Sequence, residues 1–107
     1  MKTQLASLVR RLSYREGDFT LASGKKSTFY IDLKVTTLHP EGISLISQMM
    51  FDEICRWRDP KKIGGVGGMS IGADPLATGL SLIAFQKSQR RPAYLVRKEA
   101  KDHGTSR

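Results

Sequence analysis

The sequence predicts an α/β fold: a parallel sheet flanked by helices, preceded by an N-terminal helix and a β-hairpin. Three observations carry this expectation. Apolar residues recur at helical spacing near the N-terminus and again over 40–57. Two β-prone runs flank a glycine-containing turn between residues 19 and 33. A β-prone run, a helical stretch and a second β-prone run then follow one another between 63 and 96. That last stretch is about the size of one βαβ unit, the repeating piece of a parallel sheet. At 107 residues the chain has the length of one domain.

Leu5, Leu8, Val9 and Leu12 follow an i, i+3, i+4, i+7 pattern, so residues 3–14 read as a short amphipathic helix with Arg10 and Arg11 on its polar face. The run Phe19-Thr20-Leu21, the turn Ser23-Gly24-Lys25-Lys26 and the run from Ser27 to Leu33 predict the hairpin. His39 is expected in a loop. Pro40 suits the first turn of a helix, where a missing N–H costs nothing. Ile43, Ile46, Met50, Ile54 and Trp57 continue that helix up to Asp59-Pro60. Cys55 is expected to pack against the core as a small apolar side chain.

The run from Ile63 to Gly68 is apolar but poor in side chains, and predicts a strand. Asp74 is placed to cap a helix that Pro75 begins and that runs to about Lys87, with Leu76, Leu80 and Ile83 on its inner face. A strand, a glycine-rich turn and a helix start in that order can hold an anion, because free N–H groups and the helix dipole point at it. Glycines placed for tight packing give the same pattern, and neither a Walker loop nor G-x-G-x-x-G is present. The run from Ala93 to Val96 closes the βαβ unit.

Charge concentrates at the C-terminal end. The net charge is +8, and residues 86–107 hold seven basic side chains against two acids. Such an asymmetry is expected either for a polyanionic ligand (nucleic acid, an anionic membrane surface or a phosphorylated small molecule) or, equally, for a solvated basic tail that binds nothing specific. Arg97, Lys98, Lys101 and His103 stand directly after the last strand, on the edge where α/β sheets bind ligands. One cysteine excludes a disulfide scaffold, and two separated histidines with it argue no zinc site, so no metal ligand is assigned. No window of 18 apolar residues predicts a membrane span. Together with the lack of a secretory signal, this makes a reducing cytoplasm the expected compartment.

The run Arg97-Lys98-Glu99-Ala100-Lys101-Asp102-His103-Gly104 resembles the catalytic loop of the orotate phosphoribosyltransferases. Phe19 to Ser27 with Phe29-Tyr30-Ile31-Asp32 resembles the family's orotate-side motif. Gly67 to Pro75 resembles its pyrophosphate loop and helix start. Together the three motifs span nearly the whole chain in the family's order. The resemblance implies a type I phosphoribosyltransferase fold. It would divide this single domain into an orotate-side hood (1–36), an α/β core (37–96) and a catalytic loop (97–107). The implied reaction transfers phosphoribose from 5-phosphoribosyl 1-pyrophosphate, with Mg²⁺, to orotate. The products would be orotidine 5′-monophosphate and pyrophosphate, on the route to UMP.

Carried over residue by residue, Arg97, Lys98, Lys101 and His103 match donor-binding residues, the last three as catalytic ones. Ile71 and Gly72 lie in the pyrophosphate loop, and Phe29 and Tyr30 match an aromatic pair beside the orotate ring. The resemblance also implies a homodimer whose loop reaches the neighbouring subunit's site. Two departures stand out. Ala22 occupies the position where some members carry a lysine for the orotate carboxylate. No segment of 1–107 matches the acid-acid and Thr-Thr-Gly signature that holds the ribose 5-phosphate. The chain is therefore expected to be an incomplete copy of a longer enzyme. The rival reading is a non-catalytic phosphoribosyltransferase-like or basic RNA-binding module; with the enzyme reading, neither nucleic acid nor membrane is an expected partner.

Overall fold

A computed structural model gives the architecture and describes residues 1–97. Helix α1 (Lys2–Leu12) buries Leu8, with Leu5, Val9 and Leu12 half-buried beside it. It ends where the Ser13 N–H donates to the Val9 carbonyl at 2.9 Å. The Ser13 hydroxyl is buried and shares a 2.6 Å hydrogen bond with Thr36 Oγ1.

Strands β1 (Tyr14–Thr20) and β2 (Lys26–Ile31) form the antiparallel hairpin. β1 starts well before Phe19, because an irregularity between Glu16 and Phe19 absorbs Gly17 and Asp18 without ending the strand. Gly24 turns the hairpin at φ +85°, a conformation that costs other residues a steric penalty. A short helix α2 (Lys34–Thr37) follows, which the periodicity did not reveal. Its start is set by Asp32, whose Oδ1 accepts from the Lys34 N–H at 3.1 Å.

Helix α3 (Pro40–Cys55) begins as Pro40 predicts, and His39 is its N-cap, with Nδ1 accepting from the Gly42 N–H at 3.4 Å. Its buried side chains are Ser47, Phe51 and Ile54. The expected stripe ending in Trp57 is displaced, because the helix stops at Cys55 and leaves Trp57 53% exposed. Cys55 is also exposed, correcting the core expectation. Position 55 lies one turn beyond Phe51 on a neighbouring face, but it is the last residue of α3, and within that helix the core cluster ends at Ile54.

After a 3-10 turn (Pro60–Lys62) come β3 (Val66–Met69), α4 (Asp74–Gln86) and β4 (Ala93–Val96). β3 and β4 are parallel, in register from Val66↔Ala93 to Met69↔Val96, so the βαβ unit forms as expected. The hairpin and this pair are separate two-stranded sheets. α4 buries Ala77, Leu80 and Ala84, a face rotated slightly from the expected Leu76, Leu80 and Ile83. The core consists of Phe51, Ile54, Leu80 and Ala84, with Met50, Ile63, Val66 and Ile83 packed around it.

Gly42 joins α2 to α3. A methyl group there would run into the Thr36 carbonyl oxygen, and Thr36 is itself held by Ser13. The clash is with backbone, so no side-chain rotation relieves it. Alanine gains up to about 1 kcal/mol of helix propensity over glycine, but overpacking typically costs about 1–3 kcal/mol. We expect Gly42→Ala to lower the thermal midpoint by several degrees. Gly64→Ala, where a methyl group meets nothing within 4 Å, should leave it nearly unchanged. Equal midpoints for the two variants would show that α2 is not locked onto α3.

Candidate functional site at the C-terminal sheet edge

The parallel register brings the ends of β3 and β4 to one edge. The Ser70 N–H donates to the Val96 carbonyl at 2.8 Å, which carries the pairing one residue further. The turn 70–73 therefore lies directly beside the start of the basic run, at exposed Arg97. Within the turn, the Ala73 N–H reaches the Met69 carbonyl and the Asp74 N–H the Ile71 carbonyl, both at 3.1 Å. The Ser70–Ile71 peptide is cis.

Asp74 does not cap the helix as expected: Ala73 holds that position and makes no side-chain cap bond. Asp74 lies in the first turn, and its Oδ1 accepts from Ser70 Oγ at 3.0 Å. The Ser70 hydroxyl thus ties the turn to the helix. A serine four residues ahead of an aspartate was the only sign of this in the sequence.

The glycines divide into two kinds. A methyl group on Gly67 would enter the Tyr94 ring, and one on Gly68 would meet Ala73 Cβ at 2.5 Å, so both serve packing. Gly72 has nothing within 4 Å and lies open on the edge. Ile71 beside it is 75% exposed. Among the described residues, neither Ile71 nor Gly72 N–H has a backbone partner. Two unspent donors, the positive end of α4 and the Arg97 guanidinium thus share one edge, an arrangement that attracts an anion.

Phe29 and Tyr30 are not on this edge. They lie on β2, opposite Glu16 and Arg15 respectively. Phe29 stacks on Tyr14 at 5.9 Å between centroids, and Tyr30 packs against Phe19 at 5.7 Å. Consecutive strand residues face opposite sides, so only one of this pair can lie against a given ligand ring. Both are exposed, at 47% and 43%. Lys98, Lys101 and His103 fall outside the described residues.

One basic residue of the C-terminal excess proves structural. Arg91 is 5% exposed, and its Nη2 donates to the Pro60 carbonyl at 2.7 Å; it also reaches Gln89 Oε1. No sequence signal separated it from Arg90. Among the described residues no group of three or more His, Cys, Asp or Glu side chains could cage a metal. Asp74 is the acid in the turn and helix start at this edge.

The fold is similar to that of solved phosphoribosyltransferases. The structure superposes on a crystal structure of a phosphoribosyltransferase from Corynebacterium diphtheriae with a TM-score of 0.76 and 31% identity, over 98% of this chain and 55% of that one. More particularly, the chain is similar to orotate phosphoribosyltransferases. The curated enzyme of Nostoc sp. is 38% identical over 105 residues, which cover 98% of this chain and 48% of the relative. A crystal structure of the Mycobacterium tuberculosis enzyme in complex with 5-phospho-α-D-ribosyl 1-diphosphate matches with a TM-score of 0.71 and 37% identity, over 91% of this chain and 53% of that one. The resemblance read from the motifs thus holds along almost the whole sequence, and the chain spans about half the length of the curated relatives it matches. No protein-family model matches it.

Proposed function

We propose that these 107 residues supply the orotate side, the pyrophosphate loop and the catalytic loop of an orotate phosphoribosyltransferase. The observation that carries this is the sheet edge that joins Arg97 to the open donors of Ile71 and Gly72. In this reading residues 1–36 form the hood, 37–96 the α/β core and 97–107 the catalytic loop. Cleavage at the anomeric carbon leaves an oxocarbenium-like sugar and an increasingly negative pyrophosphate. Fixed donors stabilise that charge without reorganising. The Ile71 and Gly72 N–H groups would hold pyrophosphate oxygens, and the Arg97 fork would take two at once. Lys98 and Lys101 would act as point charges, and His103 would donate to the departing oxygen. Phe29 or Tyr30 would cover the orotate ring.

Among the described residues this edge offers hydrogen-bond donors and one carboxylate, Asp74, so Mg²⁺ would be held mainly by oxygens of the phosphoribosyl substrate; when bound, it would neutralise pyrophosphate charge. Among the described residues no helix is long and apolar enough to cross a membrane. We place the protein in the cytoplasm, where its unpaired Cys55 stays reduced.

Two experiments test the reading. Residues 1–107 are grafted in place of the matching half of the Nostoc sp. enzyme, and pyrophosphate release is followed with orotate, uracil or hypoxanthine as acceptor. Orotate alone should support turnover. A folded graft that binds the donor but ignores orotate would remove the acceptor assignment. The second experiment concerns the homodimer. A graft carrying Lys101→Ala is mixed with one disabled in the donor-phosphate turn, and part of the activity should return as subunits exchange. No recovery after verified exchange would rule out a shared site.

A further inference from the structure

The opposite edge of the β3–β4 sheet is also basic, and the reaction above gives it no task. Two segments enter the strands there, the stretch 56–65 before β3 and the stretch 87–92 before β4. Arg91 pins them together through the Pro60 carbonyl, and the Val66 N–H donates to the Pro92 carbonyl at 2.9 Å. Their basic residues are Arg56, Arg58, Lys61, Lys62, Lys87, Arg90 and Arg91, against one acid, Asp59. Arg56 is engaged by Glu53 at 3.0 Å, and Arg91 is buried. The other five cations are exposed. At this end of the sheet, part of the C-terminal charge excess therefore stands away from Arg97.

Aromatic rings accompany these charges. Trp57 stands between Arg56 and Arg58 in the sequence, is 53% exposed, and borders a cavity with Ile63, Val66 and Tyr94. Phe85, at the end of α4, is 59% exposed and carries the Arg90 guanidinium 5.5 Å from its ring centroid. A cleft of about 410 Å³ opens beside it, bordered by Leu82, Phe85, Arg90 and Ala93. Exposed rings set among cations suit a partner with both negative charge and flat apolar faces. Single-stranded nucleic acid has both, since its phosphates follow a basic surface while its bases stack on aromatic or guanidinium planes. A lipid headgroup has charge but no planar face to match the Phe85–Arg90 pair.

We propose that this N-terminal sheet edge binds single-stranded nucleic acid, with Trp57 and Phe85 as stacking platforms and Arg58, Lys61, Lys62 and Arg90 as phosphate contacts. The proposal does not depend on the phosphoribosyl reaction, which uses the other edge.

Trp57 is the one tryptophan of the chain, so its emission reports directly on this surface. The purified 107-residue protein is titrated with a U-rich RNA of about 16 nucleotides. Emission should be quenched on binding, and affinity should fall about tenfold or more between about 50 and 200 mM salt. Reversing charge at Lys61→Glu, Lys62→Glu and Arg90→Glu together should weaken binding by about tenfold or more, while Arg97→Ala should leave it unchanged. No binding, binding without quenching, or equal affinity in the charge-reversed protein would overturn the proposal. So would a Trp57 response to phosphatidylserine vesicles but not to RNA, which would assign the edge to a membrane. If the triple variant loses its native circular-dichroism spectrum, acetylation footprinting of the unaltered protein decides. RNA should protect Lys61, Lys62 and Lys87 but not Lys2 or Lys34; uniform or absent protection would reject the site.

Discussion

Orotate consumption by the 107-residue chain alone is expected to stay at the uncatalysed background. The described edge offers donors for a pyrophosphate, and the hairpin offers exposed rings, but no segment of the sequence matches the turn that holds the ribose 5-phosphate. Such a remote phosphate contact fixes the reacting carbon against its acceptor, and positioning of that kind supplies up to roughly 7–11 kcal/mol of a barrier. Packing points the same way. Among the described residues six hydrophobic side chains are buried, whereas fifteen large ones are exposed, including Met69, Tyr94 and Leu95 on the β3–β4 pair. So much uncovered apolar surface beside a sheet of two strands favours association of the chain with itself over a stable, well-packed monomer. The check is orotate absorbance with donor and Mg²⁺ present, run beside the Nostoc sp. graft at equal concentration. Turnover at an enzyme-like rate by these 107 residues would refute the role given to the phosphate turn.

Much of the architecture was legible because it rests on local signals. Pro40 and Pro75 marked helix starts, Gly24 marked the hairpin turn, and the alternation of β-prone and helical runs over 63–96 gave the parallel pair. Long-range packing was less legible. Phe51 faces the core and Trp57 does not, because α3 stops at Cys55, an end that no apolar spacing marks, and it packs across α4 well before that end. The crossing itself rests on Ser47 and Gly79, where a methyl group on the glycine would strike the serine hydroxyl. Neither residue has an apolar side chain to betray its position. The candidate site was proposed from motif order, which named Ile71, Gly72 and Arg97; the structure brings the turn at 70–73 beside the end of β4. What sequence could not separate was a buried Arg91 from an exposed Arg90, since one guanidinium satisfies a carbonyl across the fold and its neighbour lies over a ring. Nor could it show that Phe29 stacks on Tyr14 and Tyr30 packs against Phe19 until the strand pairing was known.

Replacing Lys101 by alanine in the graft is expected to lower kcat by about a hundredfold or more while changing KM little. The reason lies in when the charge is needed. Before the bond breaks, the donor already carries its phosphates, and the Ile71 and Gly72 N–H groups and Arg97 can hold them in the ground state. As the bond lengthens, negative charge grows on the departing pyrophosphate. In the role proposed for it, Lys101 gains interaction energy only then, and only such differential binding accelerates the step. Removing one preorganised donor from a water-excluded site typically costs about 2.7–4 kcal/mol of barrier. Arg97→Ala should show the contrasting pattern, a raised KM with a smaller effect on kcat, because its fork grips charge that is present throughout. Steady-state kinetics over a range of donor concentration at saturating orotate separates the two. If Lys101→Ala raises KM and leaves kcat intact, the lysine binds the ground state, and the stabilisation of the leaving group must come from Lys98, His103 or the turn at 70–73.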